Sequence, residues 1–521
     1  MQNITMQNMT LQNMADACNG TLYCKEKIKN REITCAVIDS RKIEQGGLFF
    51  ATKGEKVDGH RFIGQVFEKG ALCVITEKTP EQVQTECEVP VESWGAYILV
   101  EDTFTALKKI AAFYREQLKI PVVGITGSVG KTSTKEFIAG VLSVHYNVLK
   151  TEGNFNNEVG LPLTLLRIRR EHEAAVVEMG ISDFGEMSRL GAMARPNICV
   201  ITNIGQCHLE NLHDRAGIFK AKTEIFDYMS ENGEVCLNGE DDMLAAVSEV
   251  NGKTVHHFGL SENAGLEVYA TDVENLGLLG SRAVMHICRK ETDPVAGNGS
   301  AETAVESAGQ EPCTDIVCPI EIPLPGQHMV INAMAAAQVG QLLGLTVEEI
   351  KEGIKSVKPV GGRSNILKLA DKIVIDDCYN ANPVSMKAAL ELLKTANGRK
   401  VAVMGDMFEL GENSDAMHAG VGAYAVEQGM DVICCVGENS CHMYEAARAN
   451  ITDTKANAAS IAEKNSIETN VETTVYYFAT REDLLAKLSD ILQPGDTILV
   501  KASHGMGFDK VVEALKGDGE N

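Results

Sequence analysis

The chain has 521 residues, which is too long for one hydrophobic core, so two to four domains are expected. The formal net charge is −24 and no basic stripe offsets it, so nucleic acid and anionic membranes are disfavoured as partners. The 15 cysteines lack zinc spacing, the start of the chain does not resemble a signal peptide, and no apolar run approaches the roughly 18 residues of a membrane helix, so we expect a cytoplasmic protein with free thiols and no stable membrane insertion.

Residues 1–118 are predicted to form a first domain that mixes strands and helices. ALCVIT (71–76) and AYILVE (96–101) are short apolar runs typical of buried strands. FTALKKIAAFYREQL (104–118) has apolar residues at helical spacing, so it is expected to close this domain as a helix.

Residues 119–358 are predicted to form a second domain in which strands alternate with helices, the pattern of a parallel sheet wrapped by helices. The expected strands are 121–126, 174–180 and 197–205, and the expected helices include 132–145 and 330–344. Residues 289–315 are polar and rich in Gly, Ala and Ser, which predicts a surface insertion or mobile loop.

Residues 359–521 are predicted to form a third domain with a second doubly wound sheet. Its expected strands are 372–378, 400–406, 431–437 and 496–502, with helical stretches between them. Residues 452–474 are polar and low in large apolar side chains, so they are expected to be a loop or a frayed helix.

The strongest local signal is GITGSVGKTSTKE (124–136), which lies between a predicted strand and a predicted helix. Glycines let consecutive backbone amides point at one phosphate group, and the helix N-terminus adds partial positive charge. In such a loop Lys131 would bridge the β- and γ-phosphates, and the Thr132 hydroxyl would lie on Mg²⁺. The spacing departs from GxxxxGK[ST], because the first glycine position is Ile125 and the local form is TGxxGKTS.

TGSVGKTS is similar to the phosphate-loop variant of the Mur ligase and folylpolyglutamate synthase superfamily. Further segments resemble that family in the family's order, over about nine-tenths of the chain. They are IDSRKIEQGGLFFATKGEKVDGH (38–60), TEGNFNNEVGLPLTLL (151–166), VVEMGIS (176–182), TNIGQCHLENL (202–212), KAKTEIF (220–226), LPGQHMVINAMAAA (324–337), DDCYNANPVSM (376–386) and GDMFELGENS (405–414). Each match alone is weak, but together they are specific.

The resemblance implies a three-domain α/β fold. The expected parts are a smaller N-terminal UDP-sugar-binding domain (1–118), a central ATP-binding P-loop domain with a helix-wrapped parallel sheet (119–358), and a C-terminal Rossmann-like domain for the amine substrate (359–521). It also implies an ATP-dependent, carbon–nitrogen bond-forming ligase of peptidoglycan synthesis, and hence a role in cell-wall biogenesis, cell shape and division. NFNNEVG, DDCYNANP and GDMFELG favour the member that joins D-alanyl-D-alanine to UDP-N-acetylmuramoyl-tripeptide through an acyl phosphate, and a monomer is expected.

The same resemblance implies two Mg²⁺ ions and the residues that hold them. Thr132 and Glu178, the latter at the end of a predicted strand, would hold the first ion beside ATP. His208 would be a ligand or close neighbour of the second ion. Lys222 matches a lysine that is carbamylated in the family, which turns an ammonium into a carboxylate-like metal ligand. The expected catalytic set is therefore Lys131, Glu178, His208 and Lys222.

The remaining site residues are also carried over from the family. ATP is expected to contact Gly127, Ser128, Val129, Gly130, Lys131, Thr132, Ser133, Asn332, Arg363 and Asp377. Substrates are expected to contact Ser40, Arg41, Asn154, Asn156, Asn157, Tyr379, Asn380 and Asn382, with Asp58, Gly59, His60, Lys501 and Ser503 as weaker candidates. Where the family has HNxxN the chain has HMVIN, so Met329 replaces Asn, which leaves Asn332 as the expected adenine contact.

Two alternatives stay open at this stage. One is a sister enzyme, either another amino-acid-adding Mur ligase or a folylpolyglutamate-type ligase. The other is a P-loop nucleotide switch that hydrolyses ATP slowly and forms no amide. Against the switch stand the motif-rich third domain and the set Glu178, His208 and Lys222.

Overall fold

A computed structural model of the chain describes residues 5–86, 95–260, 266–290, 302–305, 313–465 and 473–517. Within these ranges the strands form sheets of five, ten and six strands, together with a small two-stranded sheet. The three larger sheets follow one another along the sequence, so each part of the chain builds its own layered unit. None of the described helices combines the length and the apolar composition needed to cross a bilayer.

The N-terminal sheet has the strand order β1-β5-β4-β3-β2, with β1 antiparallel to β5 and the other neighbours parallel. Strands β3 to β5 are apolar and almost entirely buried, as expected for parallel strands covered on both faces. The elements are α1 (Leu11–Cys18), β1 (Thr21–Tyr23), β2 (Ala36–Val37), β3 (Leu48–Phe50), α2 (Ile63–Glu68), β4 (Cys73–Thr76), α3 (Pro80–Glu86), β5 (Ala96–Leu99) and α4 (Thr103–Glu116).

The central unit has a parallel half that carries the phosphate loop. Its sheet order is β13-β10-β9-β6-β8-β7, with all neighbours parallel. The elements are β6 (Val122–Thr126), α5 (Lys131–Leu142), β7 (Val148–Lys150), α6 (Gly160–Leu165), β8 (Ala174–Glu178), α7 (Glu186–Ala194), β9 (Ile198–Ile201), α8 (Leu209–Leu212), α9 (Arg215–Thr223), β10 (Glu234–Asn238), β11 (Glu249–Val250), β12 (Lys253–Thr254) and β13 (His256–Gly259).

The same sheet continues beyond β13 as an antiparallel extension with the order β14-β15-β17-β16. Two helices then return across the sheet, and α10 packs against α5 beside the phosphate loop. The elements are β14 (Leu266–Asn275), β15 (Ser281–Lys290), β16 (Glu302–Val305), β17 (Cys313–Ile322), α10 (Gln327–Leu342) and α11 (Val347–Ser356).

The C-terminal sheet has the order β18-β19-β23-β20-β21-β22, with β18 antiparallel and the other neighbours parallel. The loops at the carboxyl ends of β19 and β23 face the central unit. The elements are β18 (Asn365–Lys368), β19 (Ile373–Asp376), α12 (Pro383–Lys394), β20 (Lys400–Gly405), α13 (Ser414–Glu427), β21 (Val432–Val436), α14 (Ser440–Asn465), β22 (Thr474–Phe478), α15 (Arg481–Leu485), α16 (Leu488–Ile491), β23 (Thr497–Lys501) and α17 (Asp509–Lys516).

Helix α4 joins the first two units. Its buried positions, Ala106, Leu107, Ile110, Ala111 and Tyr114, recur at helical spacing, and the Asp102 carboxylate caps its start by accepting a 2.6 Å hydrogen bond from the backbone N–H of Thr105. The helix packs against α1 on the N-terminal side and against α6 and α7 on the central side. The boundary at residue 118 stays a prediction, since α4 belongs to the packing of both units.

The predicted three-domain α/β class, with parallel sheets and surrounding helices, is confirmed. One local prediction needs correction, and a second, which allowed a loop or a frayed helix at 452–474, is narrowed to a helix over most of its length. The segment 289–315 is not simply a loop, because its ends belong to β15 and β17 and residues 302–305 form β16; the rest of it lies outside the described residues. The segment 452–474 is helical up to Asn465, and β22 begins at Thr474, while 466–472 lie outside the described residues.

Candidate functional site

The phosphate loop follows β6 and turns at two glycines with positive φ, Gly127 (φ +146°) and Gly130 (φ +84°). A Cβ on Gly127 would lie 2.0 Å from the hydroxyl oxygen of Thr202, so only glycine fits there. Gly130 precedes the first turn of α5. The Lys131 Nζ donates a hydrogen bond of 2.7 Å to the carbonyl of Gly127, so the ammonium curls over the loop. Burial lowers the Lys131 pKa, and the Glu178 carboxylate opposes that shift.

The loop after β9 holds the phosphate loop from the side. Asn203 accepts a 3.0 Å hydrogen bond from the backbone N–H of Val129 and donates one of 2.9 Å to the Val129 carbonyl. The hydroxyl of Thr202 donates to the same carbonyl at 2.6 Å, and the Ser128 hydroxyl donates to the Gly205 carbonyl at 3.0 Å. The backbone of the loop is therefore fixed before any nucleotide binds.

Glu178 is the central acid of the site. Its side chain ends β8 with 1% of the residue exposed, directly beside the first turn of α5. The Thr132 hydroxyl donates to Oε2 at 2.8 Å, and the Asn156 side-chain amide donates to Oε1 at 2.8 Å. The structure thus brings together three of the predicted residues, two of them candidates for the first metal ion.

Lys222 is buried on α9, with 1% of the residue exposed. No hydrogen bond or ion pair joins its Nζ to another of the described residues. Burial lowers its pKa to about 8, the neighbouring Cys207 thiol opposes the shift, and the Lys131 ammonium adds to it. A buried amine without a partner is unusual, because an unpaired buried charge is unfavourable. The neighbouring Lys220 lies on the same helix and is less buried.

His208 precedes α8 in a left-handed conformation (φ +51°). Its Nδ1 lies 2.5 Å from Oε2 of Glu409, which belongs to the C-terminal unit and is also left-handed (φ +62°). The close contact with the His208 ring holds the pKa of the Glu409 carboxyl below its ordinary value. The contact directly links the central and C-terminal units, and no sequence motif predicts this pairing.

Asn332 lies on α10 beneath the phosphate loop. Its Oδ1 accepts a hydrogen bond of 3.0 Å from the Thr134 hydroxyl, and its Nδ2 lies 3.6 Å from the sulfur of Met329. Asn332, Met329 and Ser133 all line a cavity between the central and C-terminal units. The predicted adenine contact of Asn332 stays a prediction.

The C-terminal unit faces the phosphate loop with one half-buried arginine and one ion pair. The Arg363 guanidinium stacks over the Tyr379 ring, 3.9 Å from its centroid. Asp377 accepts a 2.6 Å hydrogen bond from the Lys501 ammonium and one of 2.9 Å from the backbone N–H of Ser364. Lys501 is thereby a fixed partner of Asp377, and the predicted ribose contact of Asp377 stays a prediction.

A cavity of about 510 Å³ lies between the central and C-terminal units. Its central wall includes the phosphate loop, Glu178 and His208, and its C-terminal wall includes Arg363 and Lys501. The predicted residues that line it are Ser128, Val129, Gly130, Lys131, Thr132, Ser133, Asn156, Asn157, Glu178, His208, Asn332, Arg363, Asp377, Tyr379, Asn380, Asn382 and Lys501. Asn382 also caps α12 by accepting a 2.9 Å hydrogen bond from the backbone N–H of Ser385.

Other predicted residues lie outside this cavity. Asn154 is exposed on the loop before α6, and Ser503 accepts a 2.9 Å hydrogen bond from the backbone N–H of Phe408. In the N-terminal unit, Ser40 is buried, while the Arg41 side chain is 84% exposed and forks onto Asp39 with contacts of 2.9 and 2.8 Å. That pairing lowers the Asp39 pKa to about 2.

The DGH turn of the N-terminal unit is held by its own hydrogen bonds. His60 is buried, and its Nδ1 lies 2.6 Å from the Asp58 carboxylate. Its Nε2 accepts a 3.2 Å hydrogen bond from the backbone N–H of Glu77. A Cβ on Gly59 would lie 2.7 Å from the carbonyl oxygen of Thr52, so the turn needs glycine. These contacts give His60 a structural role in the turn.

Sequence reasoning missed two residues that line the cavity and one buried residue behind it. Asn203 supports the phosphate loop, and His328 lines the cavity with a pKa lowered by burial. Lys135 lies under Glu178 and is 2% exposed. Its place one helical turn after Lys131 was a readable signal, because residues four apart share a face of the helix.

Together, the fold and the site define a P-loop nucleotide-binding α/β protein with a polar cavity at the junction of two units. Three family models match the chain: "Mur ligase family, catalytic domain" at residues 32–115, "Mur ligase middle domain" at 125–340, and "Mur ligase, glutamate ligase domain" at 362–504. The chain belongs to the Mur ligase family.

Individual relatives match nearly the whole chain. The UDP-N-acetylmuramoyl-tripeptide–D-alanyl-D-alanine ligase of Bacillus subtilis is 33% identical over 505 residues, covering 96% of this chain and 97% of that protein. The Escherichia coli enzyme of the same name is 33% identical over 512 residues, covering 97% and 98%. A crystal structure of MurF from Acinetobacter baumannii superposes with a TM-score of 0.79 at 30% identity, covering 98% of this chain and 100% of that one. MurF ligase from Thermotoga maritima in complex with ADP gives 0.69 at 26% identity, covering 92% and 97%.

Proposed function

We propose that the protein is an ATP-dependent ligase that joins D-alanyl-D-alanine to UDP-N-acetylmuramoyl-tripeptide and releases ADP and phosphate. The observation that carries this proposal is the buried Glu178, bound by Thr132 of the phosphate loop at 2.8 Å, in a cavity that the C-terminal unit closes. Support comes from relatives of that name, which match 96% and 97% of the chain.

The reaction has to activate a carboxylate, because oxide is too poor a leaving group for an amine to displace. Transfer of the γ-phosphoryl group of ATP to the tripeptide carboxylate gives an acyl phosphate. Attack by the amine of the dipeptide then forms the amide and releases phosphate. Both steps bring anions together, so positive groups must face the reacting oxygens. Lys131 and Arg363 line the cavity and can supply that charge.

We infer that residues at the carboxyl edge of the central sheet would hold two Mg²⁺ ions. Thr132 and Glu178 would hold one ion, since a hydroxyl and a carboxylate are hard oxygen ligands. His208 and a carbamylated Lys222 would hold or flank the other. When bound, the metal ions neutralise phosphate charge and polarise the transferred group. Asn156 contributes by fixing the second oxygen of Glu178 at 2.8 Å.

The environment of Lys222 favours carbamylation. Only a neutral amine attacks CO₂, and burial lowers the Lys222 pKa to about 8. The neutral fraction therefore rises as pH increases through about 8, well below the ordinary value of 10.5. The carbamate would be an anion near the Lys131 ammonium, which would relieve the unpaired burial of the amine.

Carbamylation can be measured apart from catalysis. ¹³C NMR of the protein in ¹³C-bicarbonate is expected to give one carbamate signal that grows as pH rises through about 8 and is absent in Lys222→Ala. Lys220→Ala is the matched control, because it removes a less buried lysine of the same helix and should keep the signal. A signal that persists in Lys222→Ala would assign the carbamate to another residue.

The ligase activity itself is tested by product formation. Purified protein with ATP, Mg²⁺, UDP-N-acetylmuramoyl-tripeptide and D-alanyl-D-alanine is expected to give the pentapeptide product with one ADP per amide, read by mass spectrometry. Single amino acids in place of the dipeptide are expected to give no product. Consumption of a single amino acid would identify a sister ligase, and ADP without any amide would favour a nucleotide switch.

The stem tripeptide is offered in two forms, with lysine or with diaminopimelate at the third position. The form with the higher kcat/KM is the natural substrate. This comparison leaves the reaction class unchanged and decides only the substrate.

A further inference from the structure

Lys135 is a buried lysine that touches the central acid of the site. Lys135 lies on α5, one turn beyond Lys131, and only 2% of the residue is exposed. The ammonium donates a 2.8 Å hydrogen bond to the carbonyl of Thr151 and lies 3.9 Å from Oε2 of Glu178. Glu136 lies 3.2 Å away on its other side. Lys135 does not line the cavity, so it acts on the site through Glu178 and not by touching substrate.

Oε2 of Glu178 is the oxygen at issue, because it also accepts the hydrogen bond from Thr132. A metal ion held by Thr132 and Glu178 therefore has to displace a hydroxyl hydrogen and to approach an ammonium. At this depth the dielectric constant is far below that of water, so the repulsion between ammonium and dication is strong. Lys135 thus adds to the electrostatic cost of placing a metal at the first site.

We propose that Lys135 is a positioning residue that holds Glu178 in a neutralised pair, so that divalent metal binds this site weakly on its own and enters together with nucleotide phosphate. Phosphate oxygens bring several negative charges to the loop and outweigh the single ammonium. Metal-free protein then keeps Glu178 oriented by Thr132, Asn156 and Lys135, ready for the metal–nucleotide complex. This role for Lys135 rests on the proposed function, since the metal site is that of the ligase.

The experiment is a Mn²⁺ titration followed by electron paramagnetic resonance, with and without ADP. Lys135→Met keeps the length and apolar stem of the side chain and removes the charge. Without nucleotide, Lys135→Met is expected to bind Mn²⁺ at least tenfold more tightly than the wild type. With ADP the two proteins are expected to differ less, so the gain in affinity that ADP brings falls at least tenfold.

Two matched variants separate this effect from a general loss of charge. Lys150 pairs with Glu136 from the exposed side and has no bond to Glu178, so Lys150→Met is expected to leave Mn²⁺ binding within twofold of wild type. Lys135→Arg keeps the charge and is expected to restore the wild-type dependence on ADP. Lys135→Gln, whose amide can still donate to the Thr151 carbonyl, serves if Lys135→Met does not fold, and the same direction is expected.

Nucleotide-free Mn²⁺ affinity that is unchanged or weaker in the uncharged variants would overturn the role of Lys135. The titration needs no substrate, so its outcome is independent of the ligase assay. Tighter metal binding in a protein that never forms an amide would contradict the proposed function and leave this role intact. If the protein forms the amide but its Lys135 variants bind Mn²⁺ like the wild type, the proposed function stands and the role of Lys135 is contradicted.

Discussion

The N-terminal and C-terminal units are attached to the central unit in opposite ways. The N-terminal sheet shares one continuous apolar cluster with the central helices, from Met14 and Ile98 through Leu107 to Leu161 and Leu190. The C-terminal unit has its own two clusters, whose buried residues all come from residues 374–515. It meets the central unit mainly at the polar cavity and through the ion pair of His208 with Glu409, and Leu278 of the central unit is the half-buried apolar side chain that packs against one of its clusters.

The difference follows from what each junction contains. Separating two units that share an apolar core would expose that apolar surface to water. This cost keeps the N-terminal and central units together. A polar junction is solvated when open, and inter-domain contacts of that kind permit relative motion. The C-terminal unit is thus the one free to close over bound substrates and to exclude water from the acyl phosphate.

The largest expected effect is the loss of activity at the polar junction. Glu178→Gln is expected to lower kcat by roughly a thousandfold, because it removes the carboxylate that is positioned for metal, an effect worth several kcal/mol. The melting temperature is expected to fall as well, because the amide leaves the buried Lys135 ammonium without this carboxylate and sets an NH2 group against one of the two donors, Thr132 or Asn156; kcat is therefore measured well below the melting temperature. Steady-state kinetics and calorimetry measure both quantities, and Glu116→Gln, in a surface pair with Arg195, is the control. Retention of most of the activity would remove Glu178 from the mechanism.

The second effect compares the two apolar cores. Leu107→Ala in α4 and Leu390→Ala in α12 both empty a fully buried site and are each expected to cost about 2–5 kcal/mol of unfolding free energy. Hydrogen exchange should show that Leu107→Ala loosens the N-terminal and central units together. Leu390→Ala should loosen residues 359–517 alone. Loosening confined to the N-terminal sheet in Leu107→Ala would contradict the shared core.

Much of the site could be predicted from the sequence, because the phosphate loop, Glu178 and Lys222 lie in contiguous motifs with fixed spacing. Contacts between site residues and residues from distant segments of the chain could not be predicted. Glu409 meets His208 across the cavity, and Lys135 reaches Glu178 from another element, and both contacts depend on how whole units pack. Arg41 matched a motif, yet its guanidinium pairs with its neighbour Asp39.

The same contrast holds for the fold. The parallel strands were predictable because each is a short apolar run buried on both faces. The antiparallel extension was missed, because β14 alternates with many polar side chains and the segment after β15 is polar. Its strands pair with each other at the edge of the sheet, where one face can be polar.

The third effect concerns strands β10, β13 and β14, where the parallel half of the central sheet meets its antiparallel extension. His256 lies between two carboxylates, 2.6 Å from Glu267 and 3.1 Å from Glu234. Burial lowers its pKa, but the hydrogen bonds and charges of Glu267 and Glu234 outweigh burial, so the pKa is raised above 6.5. A raised histidine pKa stabilises the fold fully below the unfolded pKa, and this stability is lost as pH rises through the folded value.

Glu267→Gln is therefore expected to lower the unfolding free energy by about 1–2 kcal/mol at pH 6 and by less at pH 9. Urea denaturation at a series of pH values measures the difference. An equal loss at both pH values would mean that the charge of His256 contributes nothing to the unfolding free energy.

The smallest effect is expected at the ion pair of His208 with Glu409, which links the central and C-terminal units. Glu409→Gln removes the charge that faces His208, and an exposed ion pair is worth about 0.2–1 kcal/mol. Single-molecule energy transfer between labels on the central and C-terminal units is expected to show a severalfold increase at most in the open population. Glu412→Gln on the neighbouring turn is the control. An unchanged distribution would show that the pair does not bias closure.

The acyl phosphate is tested most directly by isotope transfer. UDP-N-acetylmuramoyl-tripeptide labelled with ¹⁸O in its terminal carboxylate is incubated with protein, ATP, Mg²⁺ and D-alanyl-D-alanine, and the released phosphate is analysed by mass spectrometry. Activation of the carboxylate at the cavity predicts one ¹⁸O atom in each phosphate, formed in step with the amide. Unlabelled phosphate would mean that ATP is cleaved by water, and the assignment of the site to amide formation would be contradicted.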